Sequence, residues 1–81
     1  MGIYKGGTIM DLKESQKRVL KAIKDYIDEN GYSPSFRELG KIANINSSAT
    51  VQYHINKLKE KGYIDYIPNQ RRTIRIIKEF E

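Results

Sequence analysis

The apolar residues of this chain change their period at Gly62, and that change limits the folds open to it. Before Gly62 they recur at helical spacing in successive blocks, closed by Gly31, Asn44 and Gly62, residues that tolerate left-handed backbone. After Gly62 they alternate with polar residues, the period of a strand with one packed and one wet face. Such a chain folds as three helices followed by a hairpin. With 81 residues there is room for one small domain and one core.

The blocks can be read in order. Leu12, Gln16, Val19, Ile23, Tyr26, Ile27 and Asn30 fall on one side of a first helix, while Lys13, Lys17, Lys21 and Lys24 line the other. Asp11 and Glu14 have the spacing of a capping box at its start, and Asn30-Gly31 ends it. Pro34 biases Ser33 toward extended backbone, so no helix runs through the turn. Ser35 and Glu38 form a second capping box, opening a short helix to about Ala43. Its expected inner face is Phe36, Leu39, Ile42 and Ala43. Gly40 is costly mid-helix and makes sense if another helix crosses closely there. Asn44 ends the helix and Ile45 turns back toward the core. Ser47 or Ser48 caps a third helix running to about Lys61.

Tyr63 to Ile67 and Thr73 to Ile77 then read as strands around IPNQRRT, where Pro68-Asn69 signals a turn and Arg71 and Arg72 stand at the tip. Tyr26 and Tyr66 are expected in the core, and Tyr32 and Tyr63 beside turns. The fold class is mainly α with a small antiparallel β-hairpin: a winged helix-turn-helix over residues 11–78. Residues 1–10, glycine-rich and without periodicity, read as a flexible N-terminal arm or leader, and 79–81 as a C-terminal tail.

Charge narrows the function. Fifteen Lys and Arg against ten acidic residues give a net charge of +5, which favours a polyanionic partner. No cysteine is present to form a disulfide or a thiolate metal site, and no apolar run approaches the roughly 20 residues that span a bilayer. A cytoplasmic protein without cofactor or metal is expected. His54 has neither an HExxH motif nor a nucleophile pattern around it and reads as a structural histidine. No phosphate loop or evident carboxylate pair suggests an enzyme.

The third helix is the candidate site. Opposite its apolar stripe of Val51, Ile55 and Leu58 lie Ala49, Gln52, Tyr53 and Asn56, small or hydrogen-bonding rather than charged. A face for water alone is normally charged; a face for base edges is not. Ala49 and Thr50 can lie against a thymine methyl, Gln52 can bond adenine in bidentate fashion, and Tyr53 and Asn56 extend the same surface. Backbone N–H groups at Ser47 and Ser48 suit a phosphate. Lys57 and Lys59 lie further along, and Arg71 and Arg72 suit phosphate or minor-groove contact. The competing readings are an ordinary exposed polar face, a winged-helix protein-interaction module, or a DNA-binding replication or initiation factor.

From Leu12 to Ile77 the chain resembles the N-terminal DNA-binding domain of the LexA repressors. GYSPSFREL, the SSATV segment, HINKLKEKGYI and RTIRI carry the resemblance, collinear and without gaps. It implies a third helix in the major groove, with Ser47, Ala49, Thr50, Gln52 and Tyr53 at the base-reading positions and wing contacts around Arg71 and Arg72. It also implies repression of transcription from an inverted-repeat operator on double-stranded DNA, with a weak homodimer forming there. Gln52 and Tyr53 depart from the well-known members, so a target sequence does not carry over. The resemblance does not include the family's C-terminal autoprotease domain, so self-cleavage and damage sensing do not carry over either.

Overall fold

The computed structural model describes residues 12–78. The expected arm, the tail and Asp11 of the first capping box lie outside the described residues. Three helices and a two-stranded antiparallel sheet follow in order: α1 (Glu14–Asn30), α2 (Phe36–Ile42), α3 (Ser48–Glu60), β1 (Ile64–Asp65) and β2 (Arg75–Ile76). This is a winged helix-turn-helix.

The helices start and stop for local reasons. At the start of α1 Lys13 is the cap, and its backbone N–H donates to the Gln16 side chain at 3.3 Å. Glu14 is the first helical residue. Gly31, at φ 80°, closes α1 by donating its N–H to the Ile27 carbonyl at 2.8 Å. The capping box of α2 is as expected: the Glu38 N–H donates to Ser35 Oγ at 3.1 Å and the Ser35 N–H to Glu38 Oε1 at 3.0 Å. Ser47 caps α3 by accepting from the Thr50 N–H at 3.3 Å.

The ends of α2 and α3 share one device. Asn44 at φ 60° and Gly62 at φ 85° take left-handed backbone just past the helix. The next residue in each case, Ile45 or Tyr63, donates its N–H back to Gly40 or Leu58, at 2.8 and 2.9 Å. That bond turns the following side chain inward against the helix it has just left. Tyr63 stands directly after the turn, as expected, and the same bond buries it to 1% exposure.

Leu12, Val19, Leu20 and Ile23 meet Leu39 and Ala43, Val51, Ile55 and Leu58, and Tyr63, Ile64 and Ile74 in one core. Ile42 is a correction to the expected inner face: it is 48% exposed. The buried arc of α2 runs through Leu39, Gly40 and Ala43, and at 3.6 residues per turn Ile42 falls off its edge. A Cβ at Gly40 would lie 3.1 Å from the Ile45 carbonyl oxygen and 3.2 Å from Val51 Cγ2. The glycine is what lets α2 and α3 approach.

The hairpin is shorter than its sequence pattern. Only Ile64 with Ile76 and Asp65 with Arg75 pair as strands. Beyond Asp65 a side chain replaces the ladder: Thr73 Oγ1 accepts from the Ile67 N–H at 3.0 Å. Gln70 N–H reaches the Ile67 carbonyl at 3.2 Å across Pro68-Asn69, with Asn69 at φ 66° as a type II turn requires.

Gly40→Val should lower stability by about 1–3 kcal/mol, because the added branch meets backbone at Ile45 and the Val51 side chain in a packed interface. A urea midpoint shift at constant slope would measure it, and an unchanged midpoint would show that the two helices can separate freely.

Candidate nucleic-acid interface

Residues 47–50 on the first turn of α3 are all exposed. Behind them Val51, Ile55 and Leu58 are anchored in the core, so the helix cannot roll without unburying them. Tyr53 is 48% exposed and Asn56 is exposed, with Gln52 half-buried between α3 and the wing. Ser47, Ser48, Ala49, Thr50, Gln52, Tyr53 and Asn56 thus form one contiguous, uncharged surface. A cleft between α2 and α3 runs along it, lined by Arg37, Lys41, Asn44, Ser48, Ala49 and Gln52 among others.

Arg37 and Lys41 were missed by sequence reasoning. They are four apart on the exposed side of α2, and that spacing was visible; that α2 lies alongside the uncharged face was not. Both line the cleft together with Ser48 and Ala49 of the first turn of α3.

The other cations divide into partnered and free. Lys57 Nζ lies 3.5 Å from Glu60 Oε1 and 5.7 Å from the Tyr53 ring centroid. Lys59 Nζ lies 3.6 Å from Asp65 Oδ1 and 4.8 Å from the Tyr66 ring centroid. Asp65 also faces Arg75 at 3.7 Å. The Tyr66 backbone N–H, and then these cations, hold the Asp65 carboxyl below its ordinary pKa. These exposed pairs contribute little to stability but place the charges.

The two wing arginines do different things. Arg71 is exposed and makes no hydrogen bond or ion pair among the described residues, as a tip cation would. Arg72, with φ 56°, turns back onto the body. Its Nη2 donates to Glu38 Oε2 at 2.8 Å, and its Nη1 donates to the Ser33 carbonyl at 3.2 Å and to the Tyr26 hydroxyl at 3.3 Å. The guanidinium also sits 5.0 Å from the Tyr32 ring centroid. Arg71 and Arg72 are adjacent at the tip, but left-handed backbone at Arg72 turns its side chain toward the α1–α2 turn. Tyr26, expected in the core, is half-buried and completes this clamp by donating to Glu38 Oε1 at 3.2 Å.

Glu38 is the centre of the clamp. The Ser35 backbone N–H, then Arg72 and Tyr26, hold its carboxyl down at about 2 from an ordinary 4.5. Glu38, and then Tyr26, in turn raise the Arg72 guanidinium. One carboxylate therefore caps α2 with one oxygen and fastens the wing with the other. A second tie lies beneath it, where the Ile74 N–H donates to the Ser33 hydroxyl at 3.2 Å in the interior.

His54 is buried, and its Nδ1 has no hydrogen-bond partner among the described residues. Burial lowers its pKa from 6.5, so the neutral ring is the one that packs. Among the described residues no group of His, Asp or Glu is arranged to hold a metal ion, and no helix is long and apolar enough to cross a membrane.

A family model described as the LexA DNA binding domain matches residues 9–73. The chain is also similar to LexA repressors: it is 48% identical over 67 residues to one from Finegoldia magna, covering 83% of this chain and 32% of that protein. To one from Moorella thermoacetica it is 43% identical over 70 residues, 86% of this chain and 34% of that protein. A Bifidobacterium longum LexA repressor is 39% identical over 66 residues, 82% of this chain and 27% of the relative. The chain thus spans about a third of the length of the curated relatives it matches.

Because the Glu38 carboxyl is depressed in the folded state, its contribution to stability is complete above about 4.5 and is lost as the pH falls toward about 2. Glu38→Gln should flatten the pH dependence of unfolding in that window, and Arg72→Ala should flatten part of it. An acid titration followed by circular dichroism measures both, and a Glu38→Gln curve parallel to the unmodified protein would refute the clamp.

Proposed function

From the premise that this chain belongs to the LexA DNA-binding domain family, we propose that it is a sequence-specific double-stranded DNA-binding module that represses transcription. The observation that carries the reading is the uncharged, exposed face of α3 from Ser47 to Asn56, held against a cleft whose edges are cationic. A major groove admits one helix and offers donors, acceptors and the thymine methyl to short or planar polar side chains. Ser47, Ala49, Thr50, Gln52, Tyr53 and Asn56 are of that kind.

In this reading the work is divided. Cations outside the groove fix position by phosphate contact and carry no sequence information, while α3 selects the site. Arg71 is the wing cation free to reach DNA, with Arg37 and Lys41 lining the cleft and Lys57 further along α3 beside Tyr53. Arg72 serves by holding the wing at its angle. The exposed N–H groups at Ser47 and Ser48 meet a phosphate at the start of α3. The partner is an inverted-repeat operator occupied by two copies that associate weakly on DNA, with half-sites about one helical turn apart. The chain works in the cytoplasm, on the nucleoid when bound, as a regulator and not an enzyme.

Selection from a random duplex library, read by sequencing, tests the reading: an inverted repeat should be enriched. Recovery of no motif at low salt by folded protein would overturn it. Replacing Arg71 by Ala should weaken binding to specific and random duplexes alike. The slope of log affinity against log salt should then become shallower by about 0.9, as expected for one phosphate contact. A change in site preference in place of that uniform loss would assign Arg71 to base reading.

A further inference from the structure

Three polar side chains on two elements close a hydrogen-bonded triangle at the edge of α3. Gln52 Nε2 donates to Asn56 Oδ1 at 3.0 Å and to the Tyr66 hydroxyl at 3.3 Å. The Tyr66 hydroxyl in turn donates to Asn56 Oδ1 at 3.3 Å. Gln52 and Asn56 are neighbours one turn apart on α3, but Tyr66 comes from the wing just past β1.

The triangle uses up particular functions. A glutamine amide has two N–H donors and one carbonyl acceptor. Both donors of Gln52 are engaged, and its Oε1 accepts nothing among the described residues. Asn56 Oδ1 accepts twice, and its Nδ2 donates to nothing among the described residues. Tyr66 is itself held: its ring meets Phe36 of α2 edge-on at 5.3 Å and lies under the Lys59 ammonium at 4.8 Å. The hydroxyl is therefore delivered to the triangle by packing that involves all three of α2, α3 and the wing.

We propose that Tyr66 is a specificity-positioning residue, whose hydroxyl makes α3 present a lone hydrogen-bond acceptor at Gln52 and lone donors at Asn56. This rests on the DNA reading proposed above and refines it. With its donors committed, Gln52 cannot make the two-point contact with adenine that its sequence suggests, which needs a donor and an acceptor together. Its Oε1 instead matches a single exocyclic amine, on cytosine or adenine, and Asn56 Nδ2 matches the acceptors of guanine, adenine or thymine. Turning both amides over together exchanges the two roles but still leaves each residue one function. Without the hydroxyl, Gln52 regains the freedom to act at two points.

The test compares unmodified protein, Gln52→Ala and Tyr66→Phe in enrichment from a random duplex library. Gln52→Ala identifies the base pair that Gln52 governs. Tyr66→Phe keeps the ring on Phe36 and should shift preference at that base pair toward adenine by roughly tenfold, the worth of one bidentate contact, while leaving positions read by neither Gln52 nor Asn56 unchanged. In the protein without DNA, the Gln52 side-chain amide protons should move in the nuclear magnetic resonance spectrum of Tyr66→Phe. If Gln52→Ala alters one base pair and Tyr66→Phe leaves it as before, the positioning role is overturned and the DNA reading stands. If the unmodified protein selects nothing, the DNA reading fails and the positioning role with it. Should Tyr66→Phe lose its fold, Asn56→Ala releases the same Gln52 nitrogen from the other side. It is expected to move the same base pair, and an unmoved preference there would refute the proposal.

Discussion

Much of this structure depends on the close crossing of α2 and α3 at Gly40. Any other residue there would bring a Cβ to 3.1 Å from the Ile45 carbonyl and 3.2 Å from Val51. The short distance lets Val51 reach the core from the first turn of α3, with Ile55 and Leu58 following one and two turns later. Once those three are buried, the rotation of α3 about its own axis is fixed. Among the described residues the opposite face is then left mostly exposed, with only Tyr66 of the wing reaching its edge at Gln52 and Asn56. What the helix offers to a partner is thus decided by what it must hide.

The wing is positioned by different physics. Its ladder pairs only two residues on each strand, too few to be stable alone. It is held by three kinds of contact with the body: the apolar burial of Ile64 and Ile74, the buried bond from Ile74 to Ser33, and the ion pair between Arg72 and Glu38. An isolated surface ion pair would count for little. This one shares its carboxylate with a helix cap and its guanidinium with a backbone carbonyl and a tyrosine hydroxyl, so the geometry is fixed by several partners at once. The consequence reaches the candidate interface, because Tyr66 stands on the same wing and touches Gln52.

Much of the fold was legible in order. The helical period of Val19, Ile23 and Ile27, the capping pair Ser35 and Glu38, and the left-handed stops at Gly31, Asn44 and Gly62 are all local signals, and local physics acts on them directly. Gly40 was legible as a close approach because its cost in a helix demands a reason. Ile42 was not, since a seven-residue helix has too few turns to define its buried arc. Tyr63 was legible as a neighbour of a turn, but its burial was not, because the turn is also a fold-back that carries the next side chain inward.

The candidate interface divides in the same way. By itself the sequence determined which side chains lie away from the buried stripe of α3: Ala49, Thr50, Gln52, Tyr53 and Asn56 follow from Val51, Ile55 and Leu58, because a helix has only one opposite face. It also determined that the chain ends its helices and begins a hairpin at Gly62. Only the tertiary structure decided how those groups are used. Arg71 and Arg72 are adjacent and alike in the sequence, yet one points out and the other is bound to Glu38, 34 residues away. Gln52 is ambivalent as a residue type, but Tyr66, 14 residues on, takes one of its donors and Asn56 the other. Hydrogen bonds and ion pairs are made between groups that the fold brings within about 3 Å, and separation along the chain says nothing about which groups those will be.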